Sequence, residues 1–397
     1  MHVRNIILLT TGQLISATGS IVVVTLGGII GANLSDNAAL ATLPVSIMVV
    51  SVASTTIPAT MLMRAIGRRR SFSLSSLSAA AAVLLATFAL QTSSFEWFIA
   101  AAALFGVNMA FTQQYRYAAA ESVEPGYAAR AISLVLVGSI GGAIIGPELV
   151  RFGQHAIEGV QYAGTLFAVA ALYVLQAALF LLLEPLKAEQ NERHEAPQRP
   201  LREIVRQPVF IVAVLGGTIG YGVMTLIMTA TPLSMHINDG YSIEQTADVI
   251  RSHVLGMYVP SLFAGFVIER LGISRMMAVG AAGLMAACVV GLQGHSYMHY
   301  TAALVLLGIG WNFLYVGGTT MLTLTYSMSE RFKAQAVNEF SVFGTSAATS
   351  LLAGTVMHVY GWYTLVLLPV PLLLVIFAGL YVVRRDSRLS RLSPARG

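Results

Sequence analysis

Residues 265–275 read "GFVIERLGISR" and residues 64–70 read "RAIGRRR". Each is a short basic segment following a long apolar run, and the glycines Gly67 and Gly272 within them stand 205 residues apart (67 to 272). Other pairs keep nearly the same register. "FGVN", ending in Asn108, meets "IGWN", ending in Asn312, and "ARAIS", from Ala129, resembles "AQAVN", from Ala334. A register held over so much of the chain marks an internal duplication, two halves related as parallel repeats.

The surrounding composition says what the repeat is made of. Of 397 residues, 56% are hydrophobic and 10% charged, against about a quarter charged in an average soluble domain. A hydrocarbon core about 30 Å thick needs roughly 20 apolar residues per crossing helix. Twelve such spans are predicted, near 5–32, 40–63, 72–92, 95–120, 129–150, 160–183, 208–235, 245–269, 275–293, 299–325, 334–357 and 362–383. Long apolar runs exclude a ten-residue-alternation barrel. The first span is too long for the apolar core of a signal peptide and is expected to remain as a helix. The expected fold is thus an all-α membrane protein of twelve transmembrane helices in two pseudo-symmetric six-helix bundles, 1–183 and 208–397. The charged, Pro-containing stretch 184–207, "EPLKAEQNERHEAPQRPLREIVRQ", is the expected cytoplasmic linker.

Lys and Arg are enriched in cytoplasmic loops. With the N-terminus inside, all of the 23 basic residues fall on cytoplasmic segments except Arg151, outside, and Arg116 and Arg251, within spans. Both termini are then cytoplasmic, in a membrane expected to be the bacterial inner membrane. The net charge of +5 is accounted for by this topology and by attraction to anionic lipid, with no need of a nucleic-acid partner. The single cysteine, Cys288, sits inside a span, so neither a disulfide framework nor a metal cluster is expected. No catalytic triad and no phosphate-binding Gly-Lys-Ser loop is present. An enzyme is therefore not expected, and neither is a cofactor.

These residues carry a resemblance. Over essentially its whole length the chain resembles the major facilitator superfamily of transporters, whose signature between helices two and three is Gly-x-x-x-Asp-Arg-x-Gly-Arg-Arg, with a second copy between helices eight and nine. Here the second copy is the fuller one, as Gly265, Glu269, Arg270 and Gly272. The first keeps Gly67, Arg68 and Arg69, while Thr60, Arg64 and Ala65 replace the first glycine, the acid and the first arginine. The family's acid helps latch the cytoplasmic gate. Glu121, at the inner end of span four, is the candidate to replace it by pairing with Arg68 or Arg69. "GSIGGAIIGP" at 138–147 resembles the Gly-x-x-x-Gly-Pro motif of the family's exporters through Gly142, Gly146 and Pro147, and Gly138 adds one turn. The resemblance implies close contact of this face with helix eight of the other half, with Pro147 bending the outer end. Val150 and Arg151 stand where the family's two terminal glycines would be, and Ala102 stands near the place of an exporter arginine in helix four.

Polar residues inside spans are costly and are expected to face the bundle or its cavity. Span ten carries Asn312, Tyr315, Thr319, Thr323 and Tyr326 at spacings of 3, 4, 4 and 3, a stripe of roughly 20 Å. Span four carries Asn108, Thr112 and Tyr115, span one Gln13, Ser16 and Ser20, and span seven Gly217, Tyr221 and Thr225. Arg116 and Glu339, near the inner ends of spans four and eleven, are candidates to bring opposite charges to the cavity; Arg251, His253 and Asp248 occupy span eight. Glu339 is the first candidate for a proton-coupling acid, ahead of His253 and Asp248. Asp36, Glu96, Glu148 and Glu244 lie nearer the outer boundary. The expected activity is proton-coupled antiport, exporting a small amphipathic molecule by alternating access. Uptake of a metabolite or vitamin-like solute is the alternative, and a transport-inactive membrane sensor the third. The partners are a small-molecule substrate, protons and membrane lipid. Oligomeric state is left open, with a monomer sufficient.

Overall fold

In the computed structural model, residues 3–34, 43–153, 156–157, 162–184, 198–386 and 389 are described. Asp36, most of the linker (185–197) and the end of the basic tail lie outside them, as does the side chain of Glu244. The described residues form helices and turns, with no strand. In chain order the helices are α1 Val3–Leu34, α2 Leu43–Gln91, α3 Phe95–Thr112, α4 Tyr115–Glu121, α5 Ala128–Gly153, α6 Ala163–Phe180, α7 Leu201–Val205, α8 Pro208–Pro232, α9 Ile243–Tyr258, α10 Ser261–Leu271, α11 Ile273–Gln293, α12 Tyr297–Leu322, α13 Arg331–Leu367 and α14 Val370–Val383. Nine helical segments among the described residues are long and apolar enough to cross a membrane, or ten when the pair Asp248–Tyr258 and Ser261–Leu271, bent by 41°, is taken as one.

Two of the nine are double length and are divided by glycine. Gly67 interrupts the 49-residue α2 at φ 81°, ψ 161°, and Gly361 interrupts α13 at φ 74°, ψ 178°. Gly272, between α10 and α11, stands at φ 84°, ψ 156°. This corner of backbone space is essentially glycine-only. Gly67 and Gly272, aligned by the repeat, thus adopt the same conformation within a few degrees. The bend between α9 and α10 falls at Val259–Pro260, where proline lacks the amide proton that would continue the helix. Pro147, by contrast, is accommodated: α5 runs on as helix to Gly153, as neighbouring helices in a membrane bundle permit.

The chain forms two compact units, residues 1–123 with 134–195, and 124–133 with 196–397. In unit 1, α1 is held to α5 along the glycine face of α5. A Cβ at Gly138 would collide with the Thr10 carbonyl and lie 3.0 Å from the Leu14 amide; one at Gly142 would lie 2.7 Å from the Thr18 amide; one at Gly146 would lie 2.9 Å from Ile21. The sequence reading expected helix eight of the other half against these glycines. The helix seated on them is α1, because residues four apart leave a groove deep enough for its backbone.

In unit 2, α12 is approached from two sides. A Cβ at Gly308 would lie 2.6 Å from the His253 carbonyl of α9, and one at Gly310 would lie 2.7 Å from the Gly280 carbonyl of α11. The repeat is visible here too, since a Cβ at Gly106 of α3 would collide with the Met48 carbonyl of α2.

Candidate functional site

In unit 1, Arg68 follows the glycine break and is 1% exposed. Its Nε donates to Glu121 Oε2 at 3.1 Å and its Nη2 to Glu121 Oε1 at 2.7 Å, while Nη1 reaches the Gln114 carbonyl at 3.4 Å. Glu121, 4% exposed, therefore takes the bidentate position opposite a motif arginine. Arg69 is exposed. In unit 2 the second motif copy receives Arg130: its guanidinium bonds Glu269 and lies 4.9 Å from the Phe266 ring, and its backbone passes where a Gly265 side chain would be. Arg270 is exposed. Also in unit 2, Arg199 donates to both oxygens of Glu330 at 2.8 and 2.7 Å and to the Thr325 carbonyl at 3.0 Å. The end of the linker is thereby clamped to the turn between α12 and α13.

The polar residues of spans one and four form three hydrogen-bonded groups in unit 1. Gln176 Nε2 of α6 donates to the Gly12 carbonyl (3.0 Å), Ser16 Oγ (3.0 Å) and Tyr115 Oη (3.1 Å), and Thr112 Oγ1 reaches Ser16 Oγ at 3.3 Å. Gln13 Nε2 donates to Ser139 Oγ of α5 at 2.9 Å. Asn108 Nδ2 donates to the Ser75 carbonyl and hydroxyl at 2.9 and 2.8 Å. Unit 1 also holds a small pocket whose lining, including Val23, Met48, Ala102 and Phe105, is apolar throughout.

The stripe on α12 is largely buried. Asn312 is 0%, Tyr315 4% and Thr319 4% exposed. Asn312 Nδ2 donates to the Met257 carbonyl at 2.7 Å and to Ser261 Oγ at 2.6 Å, one on each side of the α9–α10 bend. Carbonyls in the last turn of a helix have no intrahelical donor, and Asn312 supplies one. Asn312→Leu is expected to lower the melting free energy by about 1–3 kcal/mol, the cost of leaving a buried acceptor unpaired; a thermal melt in detergent measures it. Thr323 bonds back to the Thr320 carbonyl at 2.7 Å, and Tyr326 Oη accepts from Gln335 at 2.9 Å.

Next to Asn312 the sequence reading missed a residue. Trp311 stacks on Tyr315 with centroids 4.8 Å apart and meets Tyr221 of α8 edge-on at 5.4 Å; Tyr221 in turn meets Tyr315 at 5.6 Å and Phe343 of α13 at 5.2 Å. Thr225, one turn along α8, shares a hydrogen bond with Ser346 at 2.9 Å. The i, i+4 spacing of Trp311 and Tyr315 was the available signal.

The ionisable candidates are dispersed. Glu339 is 1% exposed on α13 and accepts from Asn338 Nδ2 at 2.8 Å. Arg116, in unit 1, is 2% exposed, donates to Gln113 Oε1 at 3.1 Å and lies 4.7 Å from the Tyr117 ring centre. His253 is fully buried, with Nδ1 at 2.8 Å from the Leu304 carbonyl, so Nδ1 carries the proton and ties α9 to α12. Asp248 and Arg251 form an exposed pair at 3.2 Å, of a kind worth little in water. No hydrogen bond or ion pair joins His253 to Asp248 among the described residues.

Comparison with known proteins agrees with this architecture. The Major Facilitator Superfamily model matches residues 9–250 and 228–397. The chain is 38% identical over 379 residues, 95% of each chain, to the riboflavin transporter RfnT of Brucella anthropi, and 28% identical to YdeG of Bacillus subtilis, an uncharacterized transporter of the same superfamily, over 90% of this chain and 86% of that one. Its fold is shared with the fucose:proton symporter FucP of E. coli (TM-score 0.73, 15% identity, 95% and 98% covered) and the human organic anion transporter MFSD10 (TM-score 0.76, 13% identity, 95% and 99% covered). The chain belongs to the Major Facilitator Superfamily of membrane transporters.

Proposed function

We propose that this transporter takes up riboflavin or a closely related planar heteroaromatic vitamin, coupled to protons, by alternating access across the bacterial inner membrane. The observation that carries the reading is the 38% identity over 95% of both chains to a riboflavin transporter. Vitamin-like uptake, the alternative drawn from the sequence, thereby displaces efflux of an amphipathic compound. The motif that suggested efflux has a packing explanation, since its glycines seat α1, and the helix-four position expected to hold an arginine is Ala102, in a wholly apolar pocket. Taking each arm of the two glycine-broken helices as a crossing restores twelve spans in two six-helix bundles, with the linker and both termini cytoplasmic. The substrate is met in unit 2 by the rings around Tyr221 and by the Thr225–Ser346 hydroxyl pair.

Glu339 serves as the coupling acid in this reading. A buried carboxylate needs a compensating positive charge or several donors, and protonation removes the charge and turns one oxygen into a donor, so proton binding alters which conformation is favoured. The test is riboflavin movement into proteoliposomes with an imposed inward proton gradient. Accumulation above that of pH-matched vesicles is expected. Glu339→Gln, which imitates the protonated acid, is expected to retain riboflavin exchange and lose gradient-driven accumulation. Full accumulation by the Gln variant removes Glu339 from the role, and no riboflavin movement in the wild type removes the substrate.

A further inference from the structure

The centre of the aromatic cluster in unit 2 holds a polar group with nothing to bond. Trp311 is 2% exposed and its indole Nε1–H, which can only donate, has no hydrogen-bond partner among the described residues. Buried donors are almost always satisfied, and an exception calls for an explanation in terms of function or a missing partner. The rings near it differ in exposure. Tyr315, stacked on it, and Phe343, against Tyr221, are buried at 4% and 6% exposure, whereas Tyr221 and Tyr258 are half-buried and meet the indole edge-on at centroid separations of 5.4 and 6.0 Å. Four helices supply this arrangement: α8 brings Tyr221, α9 brings Tyr258, α12 brings Trp311 and Tyr315, and α13 brings Phe343. Tyr258 is the last residue of α9, next to the bend at Val259–Pro260 that Asn312 braces, so the position of its ring depends on that bend.

We infer that Trp311 Nε1–H is the specificity-determining donor of the substrate site. A flat heteroaromatic ring packs against Tyr221 and Tyr258 and places a ring carbonyl or ring nitrogen on the indole N–H. This rests on the reading that the substrate is riboflavin or a similar vitamin. The isoalloxazine ring supplies both features, a flat polarisable face for edge-on and offset aromatic contact and carbonyl and imine acceptors along its rim. A site that holds a buried donor rejects a ring lacking the acceptor, because binding it would leave the donor unpaired. An apolar aromatic of the same size therefore gains the stacking and loses the discrimination.

Trp311→Phe keeps an aromatic ring and removes the N–H. In proteoliposomes given riboflavin, the KM of this variant is expected to rise about tenfold, the consequence of losing one well-placed hydrogen bond, with the maximal rate retained. A structural role makes a different forecast. The smaller ring leaves a void that lowers the melting temperature with and without riboflavin alike, so the readout particular to the N–H is the extra stabilisation produced by saturating riboflavin, which is expected to fall. An unchanged KM with normal wild-type uptake overturns the inference and assigns the N–H to the ring faces of its neighbours, leaving the transport reading standing. Absence of riboflavin uptake by the wild type overturns both. Should Trp311→Phe fail to reach the membrane, Tyr221→Leu at the half-buried rim is expected to raise KM in the same way, and an unchanged KM there also overturns the inference.

Discussion

Replacing Glu121 with alanine is expected to destabilise unit 1 by about 3–5 kcal/mol, the range for removing one partner of a buried ion pair. Arg68 and Glu121 are 1% and 4% exposed and joined by two hydrogen bonds. Without the carboxylate, the buried guanidinium loses its bidentate counter-charge. The glycine break keeps Arg68 there, since Gly67 at φ 81° turns the chain so that the next residue points inward. Thermal unfolding in detergent measures the loss. The paired substitution Arg68→Met with Glu121→Leu is expected to recover most of it, because apolar residues of similar volume replace such pairs at little cost. A double variant as unstable as Glu121→Ala would mean that the charges do more than satisfy one another.

Gly142→Leu is expected to prevent stable folding of unit 1 and so to abolish transport. A single Cβ there already comes within 2.5 Å of the Ala17 side chain and 2.7 Å of the Thr18 amide. Overpacking by one or two methylenes costs about 1–3 kcal/mol in an ordinary core, and here the obstacle is backbone, which has no alternative rotamer. Gly142→Ala is expected to give the milder defect and Gly146→Ala a smaller one, since its contact is the side chain of Ile21. Fluorescence-detected size exclusion after mild heating ranks the three. If Gly142→Leu gave a monodisperse, heat-stable protein that fails only in turnover, these glycines would act in motion between conformations and not in seating α1.

The identity of the fold was available in the linear chain because a bilayer imposes its thickness on any sequence that crosses it. Apolar runs, basic loops and the shared register of Gly67 with Gly272 required no knowledge of neighbours. The pairing of a motif arginine with Glu121 was accessible for the same reason, since a buried positive charge restricts its partners to the few acids at the same depth. Tertiary structure alone decided which polar residues face each other. Asn312 and Asn108 fit the same period-3.6 stripe that a water-lined wall would show, and periodicity reports a shared face without saying what lies against it. The structure puts helix carbonyls there: Met257 beside Asn312 and Ser75 beside Asn108. The glycine face of α5 was equally plain in sequence, yet its occupant, α1, depends on how helices distant in the chain come together. Trp311 passed as one more apolar residue, because only the positions of the surrounding rings leave its N–H without an acceptor.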